Sequence, residues 1–246
     1  MRPGTHTPKI AVLCHLFYED SAEALREELR GLHPYDPSWL FNICAATPAK
    51  SAVSQALQHA FPGCFIMYTS NKGKDIGGKL ALLSLYQQLQ AAADYLLFLH
   101  DKKSLQAVQD VQWRKDLLRI VEPDRIASIL EHFFKHPYCG IVASKPYIRP
   151  ENLADGAFKS HNTDWIKQLL NAYTLKPKTY DYVAGTMFWA RAAALENFFG
   201  THHPLTIRKT LEEGNVLDNF SGTYTHSWER LFSWIITSQG YQIHGM

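Results

Sequence analysis

Cysteine is sparse in this chain, with four in 246 residues. Cys14, Cys44, Cys64 and Cys139 are too far apart to form a CxxC pair, which excludes a thioredoxin-like redox motif and a zinc ribbon. Three of them lie in or beside apolar runs that read as strands, so the expectation is buried thiols of a reducing compartment. An excess of charge of one sign is also missing: 25 Lys and Arg face 23 Asp and Glu, a formal net charge of +2. No whole-molecule field then points to nucleic acid or to an anionic membrane, and any anion site must be local. No uninterrupted apolar run approaches the roughly 20 residues that span a bilayer, and Met1–Pro8 lacks the apolar stretch of a signal peptide. A cytosolic protein is expected, with peripheral attachment at the inner face of a membrane left open. Internal repeats and low-complexity segments are absent as well.

What is present is a core: 46% of the residues are hydrophobic and six are Trp, enough for one large α/β domain. The runs alternate. Lys9–Cys14 reads as a buried strand, and Asp20 with Glu23 opens a helix carrying Ala22, Leu25, Leu29 and Leu32 on one face. Trp39–Ala45 and Cys64–Tyr68 read as strands around a helix at Ser51–Ala60. After the turn at Asn71–Gly73, a helix with Leu82, Leu85, Tyr86 and Leu89 leads to the strand before His100. A helix at Asp124–Lys135 and a strand at Cys139–Ala143 follow. Ser144–Thr179 reads as an excursion with one helix at Asp164–Tyr173. Tyr180–Arg191 resumes as a strand-like run and Ala192–Phe199 as a helix, while Thr201–Thr225 is a candidate mobile loop. Trp228–Ser238 is an amphipathic helix, capped by Gly240 before a strand at Tyr241–His244.

The run from Asp94 to Ser104 carries the chemistry. An apolar strand, Leu96–Leu99, ends in His100, Asp101, Lys102 and Lys103, and the carboxyl ends of strands are where open α/β sheets bind ligands. Two lysines there suit an anion; a solvated turn is the competing reading. Asn71-Lys-Gly-Lys-Asp-Ile-Gly-Gly78 is a glycine-rich turn opening a helix, and it lacks the GKS/T ending of a P-loop. His202 and His203 have no further ligand spacing and are assigned no metal.

These two motifs, in this order, resemble the nucleotide-binding half of an inverting GT-A glycosyltransferase, in which an Asn-x-Gly loop precedes a helix and a strand ending in Asp-x-Asp. With Gly185-Thr-Met-Phe-Trp-Ala-Arg191 and His226-Ser-Trp-Glu-Arg-Leu-Phe232, the chain resembles more narrowly the rhamnan synthesis protein F family of polysaccharide rhamnosyltransferases, from about Lys9 onward. The resemblance implies a GT-A-like, mixed and mostly parallel sheet flanked by helices. Residues 1–8 would be a flexible N-terminus, and residues 9–246 one domain with a nucleotide-sugar half at 9–143 and an acceptor half at 144–246. It implies that Asn71, Gly73 and Asp75 hold the donor nucleotide with a helix N-terminus, and that His15 and Tyr18 meet its base. Glu229, about one helix upstream of Gly240-Tyr241, would be the base that removes the acceptor hydroxyl proton; a helix N-terminal Glu, or a partner of Arg230, is the structural alternative. Gly185, Thr186 and Trp189 would line the acceptor side, Trp189 as an apolar platform for a sugar, with core packing the competing reading for Met187 and Phe188. His226 would share a helix face with Glu229, unless it is a surface histidine.

One departure has consequences. The Asp-x-Asp positions are occupied by His100 and Lys102, leaving Asp101, which alone holds a hard cation poorly. The expectation is metal-free transfer in which Lys102 and Lys103 stabilise the leaving diphosphate, with a divalent ion at Asp101 and donor phosphates the alternative. The implied reaction moves L-rhamnose from dTDP-L-rhamnose to a saccharide or lipid-linked saccharide acceptor of a surface polysaccharide. A nucleotide- or sugar-binding module without chemistry is the rival; a glycosidase is weaker, since it needs two carboxyl groups across one cleft.

Overall fold

The computed structural model describes residues 7–18, 21–101, 108–153, 155–217 and 221–246. Strand β1 (Ile10–Leu16) is followed by helix α1 (Ser21–Glu28), β2 (Ser38–Cys44), α2 (Lys50–Ala60), β3 (Phe65–Thr69), α3 (Lys74–Gln88) and β4 (Tyr95–His100). Helices α4 (Val108–Leu118) and α5 (Pro123–Lys135) precede β5 (Cys139–Ala143). Beyond it come β6 (Ile148–Pro150), α6 (Thr163–Ala172), β7 (Asp181–Val183), β8 (Phe188–Arg191), α7 (Ala192–Thr201), α8 (Pro204–Thr210), α9 (Tyr224–Thr237) and β9 (Gln242–Gly245).

Seven strands form one sheet in the order β3-β2-β1-β4-β8-β5-β9. β1 is parallel to β2 and β4, β2 to β3, and β5 to β9, whereas β8 runs antiparallel to β4 and β5. This is the mixed, mostly parallel sheet flanked by helices that the GT-A-like resemblance implies. The chain builds outward from β1 to β3 and then crosses to the other side of β1 for β4. The carboxyl ends of β1 and β4 therefore flank a topological switch point, where open sheets leave a crevice.

Strand alternation sorts the core onto two faces. Ala11, Leu13, Leu96, Phe98, Phe188 and Ala190 face one hydrophobic cluster, which includes Leu80 and Leu83 of α3 and Leu231 and Ile235 of α9. Val12, Cys14, Leu97, Leu99 and Trp189 face the other, with Val53 and Leu57 of α2 and Ile126, Ile129 and Phe133 of α5. His100 continues the face of Leu96 and Phe98, so its ring is delivered toward α3. Cys14, Cys44 and Cys139 are buried free thiols and Cys64 is half-buried.

Several sequence expectations change. Tyr180–Arg191 is two strands, because Gly185 (φ 81°) and Thr186 (φ 49°) make a left-handed turn between them. Helix α4 was not anticipated from its weak apolar pattern. Thr201–Thr225 is no open loop in its described part: it contains α8, and residues 212–214 lie antiparallel to the Asn71–Gly73 turn, with Gly73 N–H donating to Glu212 O at 2.8 Å and Gly214 N–H to Asn71 O at 3.1 Å. α9 starts a turn earlier than its apolar stripe suggests, at a Thr223 cap that accepts from the His226 amide. Asp20 of the expected capping box lies outside the described residues. Among the described residues, no helix is long and apolar enough to cross a membrane.

Candidate active site

The turn before α3 is shaped by glycine. Gly73, the N-cap, has φ 74° and Lys74 follows at φ 53°. A Cβ on Gly77 would collide with the Lys72 carbonyl oxygen, and one on Gly78 with the His15 ring, so the paired glycines let the helix start close to the sheet. Asn71 donates to Asn215 Oδ1 at 2.9 Å, and Lys74 Nζ reaches the Val216 carbonyl at 3.2 Å.

Beneath this turn lies a buried charge. Lys79 has no solvent exposure; its Nζ donates to Asp75 Oδ2 at 2.9 Å, to Thr186 Oγ1, and contacts His100 Nδ1 at 3.1 Å. Thr186 in turn donates to Asp75 Oδ2 at 2.8 Å. Burial would push the Asp75 carboxyl up, but the Lys79 ammonium, with hydrogen bonds from Lys79 and Thr186, holds it well below the usual carboxylate range. Burial pulls the Lys79 ammonium down and Asp75 opposes it. The two form an ion pair inside a hydrogen-bond network that joins α3, β4 and the β7–β8 turn.

That turn also holds Glu229. Gly185 N–H donates to Glu229 Oε1 at 2.7 Å and Arg230 Nη1 to Glu229 Oε2 at 2.7 Å. Arg230 is itself buried, with Nε on Glu151 Oε2 at 3.1 Å and its guanidinium 4.5 Å from the centre of the Tyr182 ring. Burial opposes its charge, yet Glu229, Tyr182 and Glu151 raise it above the ordinary arginine value. Glu212 accepts from the Tyr224 and Thr225 amides at 2.6 and 2.9 Å, a carboxylate at the positive end of α9.

Lys74, Asp75, Ile76, His100, Gly185, Thr225, His226 and Glu229 line one cleft. Of the residues singled out in the sequence, Asp75, His100, Gly185, His226 and Glu229 thus come together at the carboxyl edge of the sheet, with Thr186 directly beneath. α9 reaches back to include His226, whose Nδ1 meets the Thr223 hydroxyl. Asn71 and Gly73 sit on the adjoining turn. Lys102 and Lys103 lie outside the described residues.

Three expectations take a different form. Trp189 is fully buried, its indole N–H on the Ile120 carbonyl at 2.9 Å, so it packs the core and presents no face to a saccharide. His15 is 3% exposed and bonded to Asn42 at 3.0 Å, its pKa pushed down to about 4 by burial; it supports α3 as a neutral ring. Asp101 is buried and its carboxylate accepts from the Phe17 and Tyr18 amides at 2.7–2.9 Å, clasping the loop after β1. Tyr18 stays half-buried on that loop, its phenol raised by burial and by Asp101. Lys79 escaped sequence reading because a lysine in a helix is ordinarily solvated. The available signal was its place four residues after Asp75 inside an apolar run, next to two glycines.

Two carboxylates at or beside the cleft already have partners inside the protein. Asp101 is turned to backbone amides, Asp75 is neutralised by Lys79, and among the described residues no three of His, Cys, Asp and Glu gather as a metal site. A hard cation needs several converging oxygens.

A family profile described as rhamnan synthesis protein F matches residues 2–241. An uncharacterized protein, WxcX, in two strains of Xanthomonas campestris pv. campestris is 27% identical over 177 residues, 70% of this chain and 24% of the relative. The chain thus spans about a quarter of the length of the curated relatives it matches. Among solved structures, the mannosyltransferase PcManGT from Pyrobaculum calidifontis, in complex with GDP-Man and Mn2+, is similar with TM-score 0.42 and 12% identity, covering 98% of this chain and 55% of that one. Mouse xyloside xylosyltransferase 1 in its apo form is similar with TM-score 0.36 and 8% identity, covering 97% of this chain and 85% of that one.

Proposed function

The chain belongs to the rhamnan synthesis protein F family, and from that premise we propose that it is an inverting glycosyltransferase, moving L-rhamnose from dTDP-L-rhamnose to a saccharide or lipid-linked saccharide acceptor of a surface polysaccharide. The observation that carries this reading is the meeting of Asp75, His100 and Glu229 in one cleft at the switch point of the sheet. In this reading residues 9–143 carry most of the donor side and residues 144–246 the acceptor side of one GT-A-like domain.

Glu229 is the proposed base. Its two oxygens are oriented by Gly185 and Arg230; a carboxylate has about four acceptor directions, so each oxygen keeps one for an acceptor hydroxyl. The proton passes to Glu229 as the hydroxyl oxygen attacks the anomeric carbon, and the nucleoside diphosphate leaves from the opposite side. Asp75, ionised and fixed by Lys79, is an acceptor for donor hydroxyls. Lys102 and Lys103, directly after Asp101 in the chain, are proposed to counter the charge of the departing diphosphate. No step here passes through a metal.

One observation favours the rival binding module: both Glu229 oxygens already have partners inside the protein. Glu229→Gln separates the two. It keeps the shape and removes the basicity, so transfer should fall by roughly a hundred- to ten-thousand-fold with near-normal binding of the nucleotide sugar. Transfer within a few-fold of wild type would move the base elsewhere, and a protein that transfers no sugar from any nucleotide donor would leave the binding module standing.

A further inference from the structure

Lys79 is the charged group for which the proposed reaction has no direct use, and it is fully buried. Its three protons have three acceptors, Asp75 Oδ2, Thr186 Oγ1 and His100 Nδ1. An ammonium can only donate, so His100 Nδ1 accepts in that contact and carries no proton. The single proton of the neutral imidazole is then on Nε2, and whatever Nε2 meets, it meets as a donor. An imidazolium would delete the acceptor and set a second cation 3.1 Å from the ammonium. Thr186 keeps the same sense of direction, accepting from Lys79 and donating to Asp75. Asp75 Oδ2 also stands 3.8 Å from His100 Nδ1. Without the lysine, that carboxylate would draw the proton to Nδ1 and leave Nε2 an acceptor, which repels a phosphate oxygen.

We propose that Lys79 is a positioning residue that fixes His100 as a neutral Nε2–H donor in the cleft wall, matched to an oxyanion of the donor diphosphate. The identity of the oxyanion rests on the transferase reading, whereas the position of the proton does not. The network makes Lys79 a selector of what the histidine can bind: one buried cation beneath the cleft turns an amphoteric ring into a dedicated donor.

The test is a long-range proton–nitrogen correlation spectrum of the full chain labelled with 15N-histidine, with His100 assigned by its loss in His100→Gln. Protonated Nε2 in the wild type, and movement of the proton to Nδ1 in Lys79→Met, are the expected results. Protonated Nδ1 in the wild type overturns the proposal, as does a Lys79→Met spectrum with the proton unmoved. Titration with dTDP, UDP and GDP adds an arm that does not need Lys79→Met to fold. His100→Gln, whose amide nitrogen lies near the Nε2 position, should bind within about threefold of wild type, and His100→Asn, which is shorter, roughly five- to tenfold more weakly. Equal affinities for Gln and Asn overturn the donor role. If none of the three nucleotides binds the wild type, the transferase reading and the oxyanion fall together, while the spectrum still decides whether Lys79 sets the proton.

Discussion

Arg230 stands between a carboxylate buried in the protein and one that faces the cleft. Glu151, 2% exposed, takes its Nε and also accepts from the Ser160 amide at 3.1 Å, while Glu229 takes Nη1. Glu151→Ala should therefore lower stability by about 3 kcal/mol, since it strips a buried cation of one partner; Glu151→Gln should cost less, because its amide oxygen still accepts. Urea denaturation of the two variants measures this, and equal, sub-kcal/mol losses would show that the pair is not structural. The contrast with Glu229 shows what a sequence reveals of a site. Glu229, Asp75 and Gly185 stand in motifs whose residue types announce their chemistry. Glu151 and Lys79 do not, because their importance comes from being buried together with partners 79 and 4 residues away, and burial of a charge is decided by tertiary packing. Trp189 failed as a platform for the reverse reason: strand alternation puts it on the same core face as Leu97 and Leu99.

Helix α3 is the element on which both halves of the cleft depend. It begins at a left-handed turn clamped by residues 212–214, and its Gly77 touches the Lys72 carbonyl while Gly78 passes the His15 ring. Gly77→Ala pushes a methyl into backbone, so a loss of about 2 kcal/mol is expected from overpacking, with nucleotide binding weakened as Asp75 shifts. Unfolding midpoints and dTDP titration of the variant would check it; a stabilised Gly77→Ala protein with unchanged binding would mean that the helix start is not fixed by this contact. Elements with strong period, such as β1, β4, α5 and α9, were legible because apolar spacing alone dictates which face is buried. The break between β7 and β8 was not, since Gly185 within an apolar run looks like a strand glycine until the positive φ of its neighbour Thr186 is seen. The pairing of residues 212–214 with the Asn71 turn joins segments about 140 residues apart, a contact that local pattern does not encode.

At the scale of the whole molecule, the fold brings eight residues from α3, β4, the β7–β8 turn and α9 to one edge of the sheet. Nothing in the net charge would steer a ligand there, so recognition must come from the cleft itself. The account therefore stands or falls on whether that cleft takes a nucleotide sugar. The direct measurement is the thermal midpoint of the purified chain in EDTA with a panel that includes dTDP-L-rhamnose, GDP-mannose, UDP-glucose and UDP-xylose. A ligand at about a hundred times its dissociation constant adds roughly 2.7 kcal/mol, or about 5–10 °C for a chain of this size. The account predicts that shift with dTDP-L-rhamnose, undiminished by EDTA and lost in Asp75→Ala, and a panel in which no nucleotide sugar moves the midpoint would contradict it.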